Sequence, residues 1–234
     1  MADEVLRAER VTKRFGGFVA VDGVDIELRK GERVGLIGPN GAGKTTLLNL
    51  LSGYYRPDSG RIFLKGIDVT GHPPHKRFRL GLCRTFQIPS VFKSLTVRQN
   101  LEVAAQRSGV RDRTGRIESL LGRLGLDRYA NERAGNLPYG AMKVLELAMV
   151  LTSEPSVLLL DEPTAGLNVS EKKRLTEILE SLPEDITLLI IEHDMDVVFN
   201  LASRVIVMNR GQVIADGKPS EVVENKLVRE VYFG

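Results

Sequence analysis

The chain has 234 residues, which is enough for one α/β core with a small subdomain and too few for two full modules of that size. Its 33 basic and 30 acidic residues leave a net charge of +3, a surplus too small to indicate nucleic-acid binding. The single cysteine, Cys83, excludes an intrachain disulfide and is expected to be a small buried apolar residue. No apolar run approaches the ~20 residues of a membrane-spanning helix, so any membrane role requires a partner.

The N-terminal segment alternates in polarity with a period of two residues. Residues 5–11 and 24–28 alternate apolar and charged side chains, which predicts half-exposed antiparallel strands separated by the turn Phe15-Gly16-Gly17. The segment Arg33-Val-Gly-Leu-Ile37 then predicts a strand, and a glycine-rich turn leads into a predicted helix at 45–51.

The pattern becomes helical from about residue 88. Residues 97–107 and 116–124 have helical periodicity, and a polar link at 108–114 separates them. A further helix is expected at 141–151. We interpret residues 88–152 as a helical subdomain that is inserted into an α/β core. The basic run that precedes it, 75–79, is interpreted as a solvated face.

The last third returns to alternating strands and helices. Uniformly apolar strands that alternate with helices are typical of a parallel sheet covered on both faces. The predicted elements are a strand at 157–160, a helix at 170–180, a strand at 187–191, a helix from about 195, and a hairpin of 205–208 with 212–215. The expected fold class is α/β, with a mostly parallel sheet of the phosphate-loop NTPase type, an N-terminal antiparallel β-subdomain and an inserted α-helical subdomain.

The segment after the strand 33–37 has the GxxxxGK[ST] pattern of a phosphate-binding loop and lies between a predicted strand and a predicted helix. Glycines let the backbone approach phosphate oxygens, and the helix N-terminus adds positive partial charge. Lys44 would add a full charge at the β- and γ-phosphates of a bound nucleotide, and Thr45 would offer its hydroxyl to Mg²⁺. The predicted nucleotide-binding residues of this loop are Gly38, Pro39, Asn40, Gly41, Ala42, Gly43, Lys44, Thr45 and Thr46.

Two carboxylates follow the apolar run 157–160. They lie at the carboxyl end of a predicted strand, where ligands bind in open α/β sheets. Asp161 is placed to hold Mg²⁺, and Glu162 is placed as the general base, or polariser, for an attacking water. Alone, this pair could equally cap the next element, but the phosphate loop upstream favours the catalytic interpretation.

Four further features resemble the ABC nucleotide-binding domains, and this resemblance covers residues 1–234 as a single domain. Gln87 corresponds to the Q-loop glutamine, which in that family touches Mg²⁺ or water and communicates with the transmembrane partner. His193 corresponds to the switch histidine that contacts the γ-phosphate and acts in catalysis. Phe15 corresponds to the aromatic residue that stacks on adenine, with a core position as the alternative. Residues 165–168 resemble the D-loop, with Asn168 where Asp is commoner.

The signature segment, residues 137–141, departs from the family's usual LSGGQ. Pro138 replaces the serine and Ala141 replaces the glutamine, whereas Gly140 remains. In ABC dimers this segment faces the nucleotide on the other subunit. The resemblance therefore implies that Pro138, Tyr139, Gly140 and Ala141 contact the partner's ATP, and the departure affects that site rather than the chain's own.

The segments Gly81-Leu-Cys-Arg-Thr-Phe-Gln87, Ile191-Glu-His-Asp-Met195 and Val231-Tyr-Phe-Gly234 resemble the branched-chain amino acid importer group. The resemblance implies an ATP-hydrolysing subunit on the cytoplasmic face of the cell membrane. Its expected partners are transmembrane permease subunits, a second ABC ATPase or a second copy of itself, and indirectly a periplasmic or extracellular solute-binding protein.

Several alternatives remain at the level of sequence. The urea and short-amide importers share these segments. A non-transport ABC ATPase usually carries two cassettes or a long coiled coil, and a GTPase would need an NKxD-type motif; the sequence has neither. Two further alternatives are a small-molecule kinase of the phosphate-loop class and a regulatory ABC subunit with slow turnover.

Overall fold

The computed structural model describes residues 4–106 and 111–233. The chain divides into two compact units. The first unit contains the residues up to Cys83, Ser156–Glu162 and the residues from Pro183 onward. The second unit contains Arg84–Pro155 and Pro163–Leu182. The short strand at the boundary runs from the first unit into the second at Arg84.

The strands form an antiparallel and a mixed sheet. In chain order the described strands are β1 (Glu4–Phe15), β2 (Phe18–Arg29), β3 (Arg33–Ile37), β4 (Ser59–Leu64), β5 (Ile67–Asp68), β6 (Leu82–Arg84), β7 (Val157–Asp161), β8 (Thr187–Ile191), β9 (Arg204–Asn209) and β10 (Gln212–Gly217). The antiparallel sheet has the order β2-β1-β4-β5, and the mixed sheet has the order β10-β9-β3-β8-β7-β6. Strands β9, β3, β8 and β7 pair in parallel, and β10 pairs antiparallel with β9. The predicted fold class is confirmed.

Both faces of the mixed sheet are covered, which explains its continuous apolar strands. Along β9, Ile206 and Met208 belong to one buried cluster and Val205 and Val207 to another. The first cluster joins this face to the antiparallel sheet and to the helix that follows β3, because apolar residues of all three pack together. A strand that is buried on both faces needs an apolar residue at every position rather than at alternate ones.

The helices follow the predicted order, with shifted ends. The described helices are α1 (Lys44–Ser52), α2 (Pro74–Arg79), α3 (Val97–Ala105), α4 (Arg113–Arg123), α5 (Tyr139–Leu151), α6 (Val169–Glu180), α7 (Met195–Leu201), α8 (Pro219–Glu224) and α9 (Lys226–Phe233). Within 4–106 and 111–233, none of them is long and apolar enough to cross a lipid bilayer.

The starts of α4 and α5 differ from the predicted ones by three and two residues. Helix α3 ends at Ala105, and the predicted last residue, Arg107, lies outside the described residues. Helix α4 begins three residues before the predicted start, because the Asp112 side chain accepts the N–H of Gly115 and caps the first turn. Helix α5 begins at Tyr139 rather than at 141, directly after Pro138.

The prediction of a solvated face at 75–79 is wrong for Arg77. Its neighbours Lys76 and Arg79 are exposed, but Arg77 has no exposed surface. The guanidinium of Arg77 points inward from α2 and donates to the carbonyl groups that end α1. The expectation for Cys83 is confirmed, since that residue is buried.

Candidate functional site

The phosphate-loop sequence forms a tight turn between β3 and α1. Gly38 has φ 154° and Gly43 has φ 101°, conformations that residues with a side chain rarely adopt. A Cβ atom on Gly38 would lie 2.2 Å from the carbonyl oxygen of Met208, and one on Gly43 would lie 2.2 Å from that of Ala20. The two glycines are therefore required both by backbone conformation and by space.

Lys44, the first residue of α1, folds its side chain back into the loop. Its Nζ donates to the carbonyl oxygens of Gly38 at 2.6 Å and Pro39 at 3.0 Å. Burial lowers the pKa of Lys44, and the nearby carboxylates of Glu162 and Asp161 partly oppose that shift by raising it. The loop thus holds a positive charge close to an acidic pair. Thr45, the next residue, is exposed at the start of the helix.

The register of the adjacent strands β7 and β8 brings the acidic pair to His193. Asp161 ends β7 and pairs with Ile191, which ends β8. The N–H of Glu162 donates to the carbonyl of Ile191 at 2.9 Å, and Glu162 has a left-handed φ of 48°. The Oε1 atom of Glu162 then lies 2.9 Å from the Nε2 atom of His193. The structure therefore brings together Lys44, Asp161, Glu162 and His193 in the first unit.

The chemistry of a carboxylate determines which group donates the hydrogen bond between Glu162 and His193. An ionised carboxylate can only accept hydrogen bonds, so the Nε2–H of His193 would donate to it. The side chains of Glu162 and His193 are 19% and 47% exposed, so solvent reaches both. Asp161 is buried. Glu162 is therefore a partly exposed carboxylate that contacts a second polar side chain.

The donor set suits Mg²⁺ better than a metal that needs an all-protein cage. Among the described residues, no group of three or more His, Cys, Asp or Glu side chains is placed to hold a metal ion. Mg²⁺ usually takes one or two carboxylates, with phosphate oxygens and waters as its other ligands. Asp161, at the end of β7, offers one such carboxylate.

Phe15 lies at the end of β1 and is 45% exposed, so it is not a core aromatic. Its ring contacts that of Tyr55 edge to face, with centroids 5.4 Å apart, and the Nζ atom of Lys13 lies 5.7 Å from its centroid. Sequence reasoning missed Tyr55, because a tyrosine in the turn after α1 shows no pattern that would pair it with β1.

Gln87 and the signature segment belong to the second unit. Gln87 is exposed in an irregular segment between β6 and α3. Pro138 precedes α5, and Tyr139, Gly140 and Ala141 form its first turn.

The signature segment and the D-loop lie against each other inside the second unit. A Cβ on Gly166 would lie 3.2 Å from a ring carbon of Tyr139, and one on Gly140 would lie 2.7 Å from Oε1 of Glu171. Sequence reasoning missed this contact between Tyr139 and the D-loop.

Asn168 caps the helix that follows the D-loop. Its side-chain oxygen accepts the N–H of Glu171 at 3.0 Å, and its own N–H donates to the Glu171 carboxylate at 3.1 Å. We expect Asn168→Ala to lower the free energy of unfolding by about 1 kcal/mol, measured by urea denaturation. Asn168→Asp is the matched control and should stay near wild type, because Asp caps as well as Asn. An equal loss in both variants would contradict the capping role.

A phosphate loop between β3 and α1, with a carboxylate pair after β7 and a histidine after the adjacent strand β8, is the arrangement of a phosphate-loop NTPase. The chain belongs to the ABC transporter family: that family's sequence profile matches residues 21–165. A second profile, described as branched-chain amino acid ATP-binding cassette transporter, matches residues 212–234. The members of this family to which the chain is similar are described as ATP-binding proteins or ATP-binding cassettes of ABC transporters.

The relatives agree with this assignment over the whole chain. The chain is 40% identical to the high-affinity branched-chain amino acid transport ATP-binding protein LivG of Salmonella typhimurium, covering 100% of this chain and 99% of LivG. It is 38% identical to BraF of Pseudomonas aeruginosa, which has the same description, at the same coverage. Among solved structures, the ADP conformation of the ATP-binding cassette MJ1267 matches with a TM-score of 0.88 and 34% identity, covering 99% of each chain.

Proposed function

We propose that this chain is the ATP-binding and ATP-hydrolysing subunit of an importer for branched-chain amino acids. The observation that carries the proposal is the convergence of Lys44, Asp161, Glu162 and His193 in the first unit. Full-length similarity to LivG and BraF supports the choice of solute.

In the proposed mechanism, the backbone N–H groups of residues 40–46 and the ammonium of Lys44 bind the phosphates of ATP. Thr45 and Asp161 would hold Mg²⁺, which supplies positive charge to the phosphate oxygens. The resemblance to the ABC family gives Gln87 the role of the glutamine that touches Mg²⁺ or water. Phe15 stacks on the adenine ring.

Hydrolysis depends on the carboxylate–histidine pair. Glu162 accepts a proton from the attacking water, and this makes the water a better nucleophile towards the γ-phosphate. His193 holds the Glu162 carboxylate through the 2.9 Å contact and reaches the γ-phosphate with the same ring.

The proposed assembly contains more than this chain. Residues 1–234 form one nucleotide-binding domain with its helical subdomain at about 88–152, and two such domains close around ATP. Residues 138–141 then face the nucleotide of the second ATPase, which is a different subunit or a second copy. The pair acts on transmembrane permease subunits at the cytoplasmic face of the membrane, with a solute-binding protein on the other side.

Uptake in cells tests the solute. Deleting the gene should abolish high-affinity uptake of radiolabelled leucine, isoleucine and valine, and the wild-type gene should restore it. Loss of urea or short-amide uptake with normal leucine uptake would instead select the alternative importer class. Normal uptake of all these solutes would contradict an importer role.

Lys44→Ala tests nucleotide binding directly. We expect the affinity for ATP to fall by about tenfold to a hundredfold, because a charge-assisted contact to phosphate is lost. Isothermal titration calorimetry with ATP measures the change. Lys30→Ala, which removes an exposed lysine in the turn after β2, is the matched control and should bind ATP as the wild type does. Unchanged affinity in Lys44→Ala would contradict the assignment of the phosphate loop.

A further inference from the structure

Helix α5 carries two buried charged side chains that have no role in the proposed mechanism. Lys143 and Glu146 lie one turn apart and are each 4% exposed. Burying a charge is costly unless it is paired and hydrogen-bonded, and apolar residues would fill the same positions at lower cost. We therefore expect Lys143 and Glu146 to form hydrogen bonds that an apolar side chain could not form.

Those partners are backbone groups of the segment that contains Gln87. The Nζ atom of Lys143 donates to the carbonyl oxygen of Gln87 at 2.6 Å. The Oε1 atom of Glu146 accepts the N–H of Phe86 at 3.2 Å and the N–H of Ser90 at 3.1 Å. All five residues belong to the second unit, so the contacts lie within one compact body.

The held segment has no regular secondary structure. Residues 85–90 follow the short strand β6 and precede α3 without joining a sheet or a helix. Backbone N–H and C=O groups outside a helix or sheet must find other partners when water is excluded. Lys143 and Glu146 provide such partners for the N–H of Phe86, the carbonyl of Gln87 and the N–H of Ser90.

We infer that Lys143 and Glu146 are positioning residues: from α5 they fix the backbone around Gln87 and so set the direction of the Gln87 side chain. The inference deepens the proposed function, on which its consequence for ATP hydrolysis rests. The same helix begins with the signature residues Tyr139, Gly140 and Ala141. Glu146 lies only about 10 Å along the helix axis from Tyr139, at 1.5 Å per residue.

This arrangement couples two sites through one rigid element. A displacement of the first turn of α5, where the partner's nucleotide would contact it, also displaces the groups that hold Gln87. The Gln87 segment therefore follows the signature helix, and the coupling needs no further element of the second unit.

A double-mutant cycle with Gln87 tests the functional consequence. We expect Glu146→Ala to lower the kcat for ATP hydrolysis by about tenfold and to raise the Mg²⁺ concentration at half-maximal rate. In a Gln87→Ala background the same substitution should have no further effect on either quantity, because the group that it positions is gone. Equal fold-changes in both backgrounds would overturn the inference, since a purely structural role acts regardless of Gln87.

Conservative variants separate positioning from loss of folding. Glu146→Gln keeps an oxygen that can accept both N–H groups and should restore most of the activity. Lys143→Met, which removes the donor, should behave like Glu146→Ala, and Lys143→Arg should restore activity. If Glu146→Ala does not fold, Lys143→Met in the same cycle decides the question.

Hydrogen exchange tests the contacts without relying on hydrolysis. The amides of Phe86 and Ser90 should exchange at least about tenfold faster in Glu146→Ala than in the wild type. Unchanged exchange would overturn the inference. A wild-type chain that hydrolyses no ATP, alone or with its partner subunits, would instead contradict the proposed function and leave the exchange result to decide the role of Glu146.

Discussion

Glu162→Gln is expected to lower the steady-state turnover of ATP by about 10²–10⁴-fold, the range that a positioned general base contributes. The amide has the size of the carboxylate but cannot accept a proton from water. ATP affinity should stay close to that of the wild type, because the phosphate loop and Lys44 are untouched. Phosphate release measures turnover, and calorimetry measures ATP affinity in the same samples.

The contact with His193 makes it possible to separate loss of the base from displacement of the histidine in Glu162→Gln. The side-chain oxygen of glutamine can still accept the Nε2–H of His193, so Glu162→Gln should leave the 2.9 Å contact in place. Loss of turnover would then report the missing base rather than a displaced histidine. Glu102→Gln, on the exposed face of α3, is the matched control and should turn over ATP as the wild type does. Near-normal turnover in Glu162→Gln would contradict the role of Glu162.

The core of the fold and the phosphate loop could be predicted from the sequence because their signals are local. Residues 34–37, 157–160 and 188–191 contain no polar side chain, and the structure shows why, since both faces of the mixed sheet are covered. In the phosphate loop, Gly38 and Gly43 have backbone conformations and close neighbours that admit no side chain. Such constraints leave a fixed sequence pattern.

Contacts made by polar side chains with distant backbone groups could not be predicted. Glu146 holds groups 56 and 60 residues earlier in the chain, and the Arg77 guanidinium reaches a carbonyl 27 residues earlier. Periodicity indicates which face of a helix is apolar, but it cannot identify a buried charge whose partners are carbonyl or amide groups of another element. In the run 75–79 the one buried cation therefore looks like its exposed neighbours.

Arg77→Met is expected to lower the free energy of unfolding by about 3–5 kcal/mol, because it leaves several buried carbonyl groups without a donor. Its NH1 atom donates at 2.7 Å to both Leu50 and Leu51, and its other nitrogens donate to Val69 and His72 at 2.8 and 3.0 Å. A thioether replaces the volume of the side chain but none of these donors. Urea denaturation of the wild type and the variant measures the difference.

The positive charge of Arg77 also stabilises its position at the end of α1. Burial lowers the pKa of Arg77 to about 10, with the carboxylate of Asp68 opposing the shift, so the guanidinium remains protonated at neutral pH. It stands at the carboxyl end of α1, where a cation interacts favourably with the helix dipole. Arg77→Lys keeps the charge but offers one nitrogen instead of a planar fork, and it should recover only part of the lost stability.

Arg77 and the phosphate loop lie at opposite ends of one helix, and this links stability to function. Helix α1 begins with Lys44 and ends with the carbonyl groups that Arg77 holds, about 10 Å away along its axis. An unanchored carboxyl end allows the helix to shift, so Arg77→Met should also weaken ATP binding in the fraction that remains folded. Arg79→Met, the exposed neighbour on α2, should change neither quantity. Equal losses of stability in the two variants would show that α2, rather than the buried guanidinium, carries the effect.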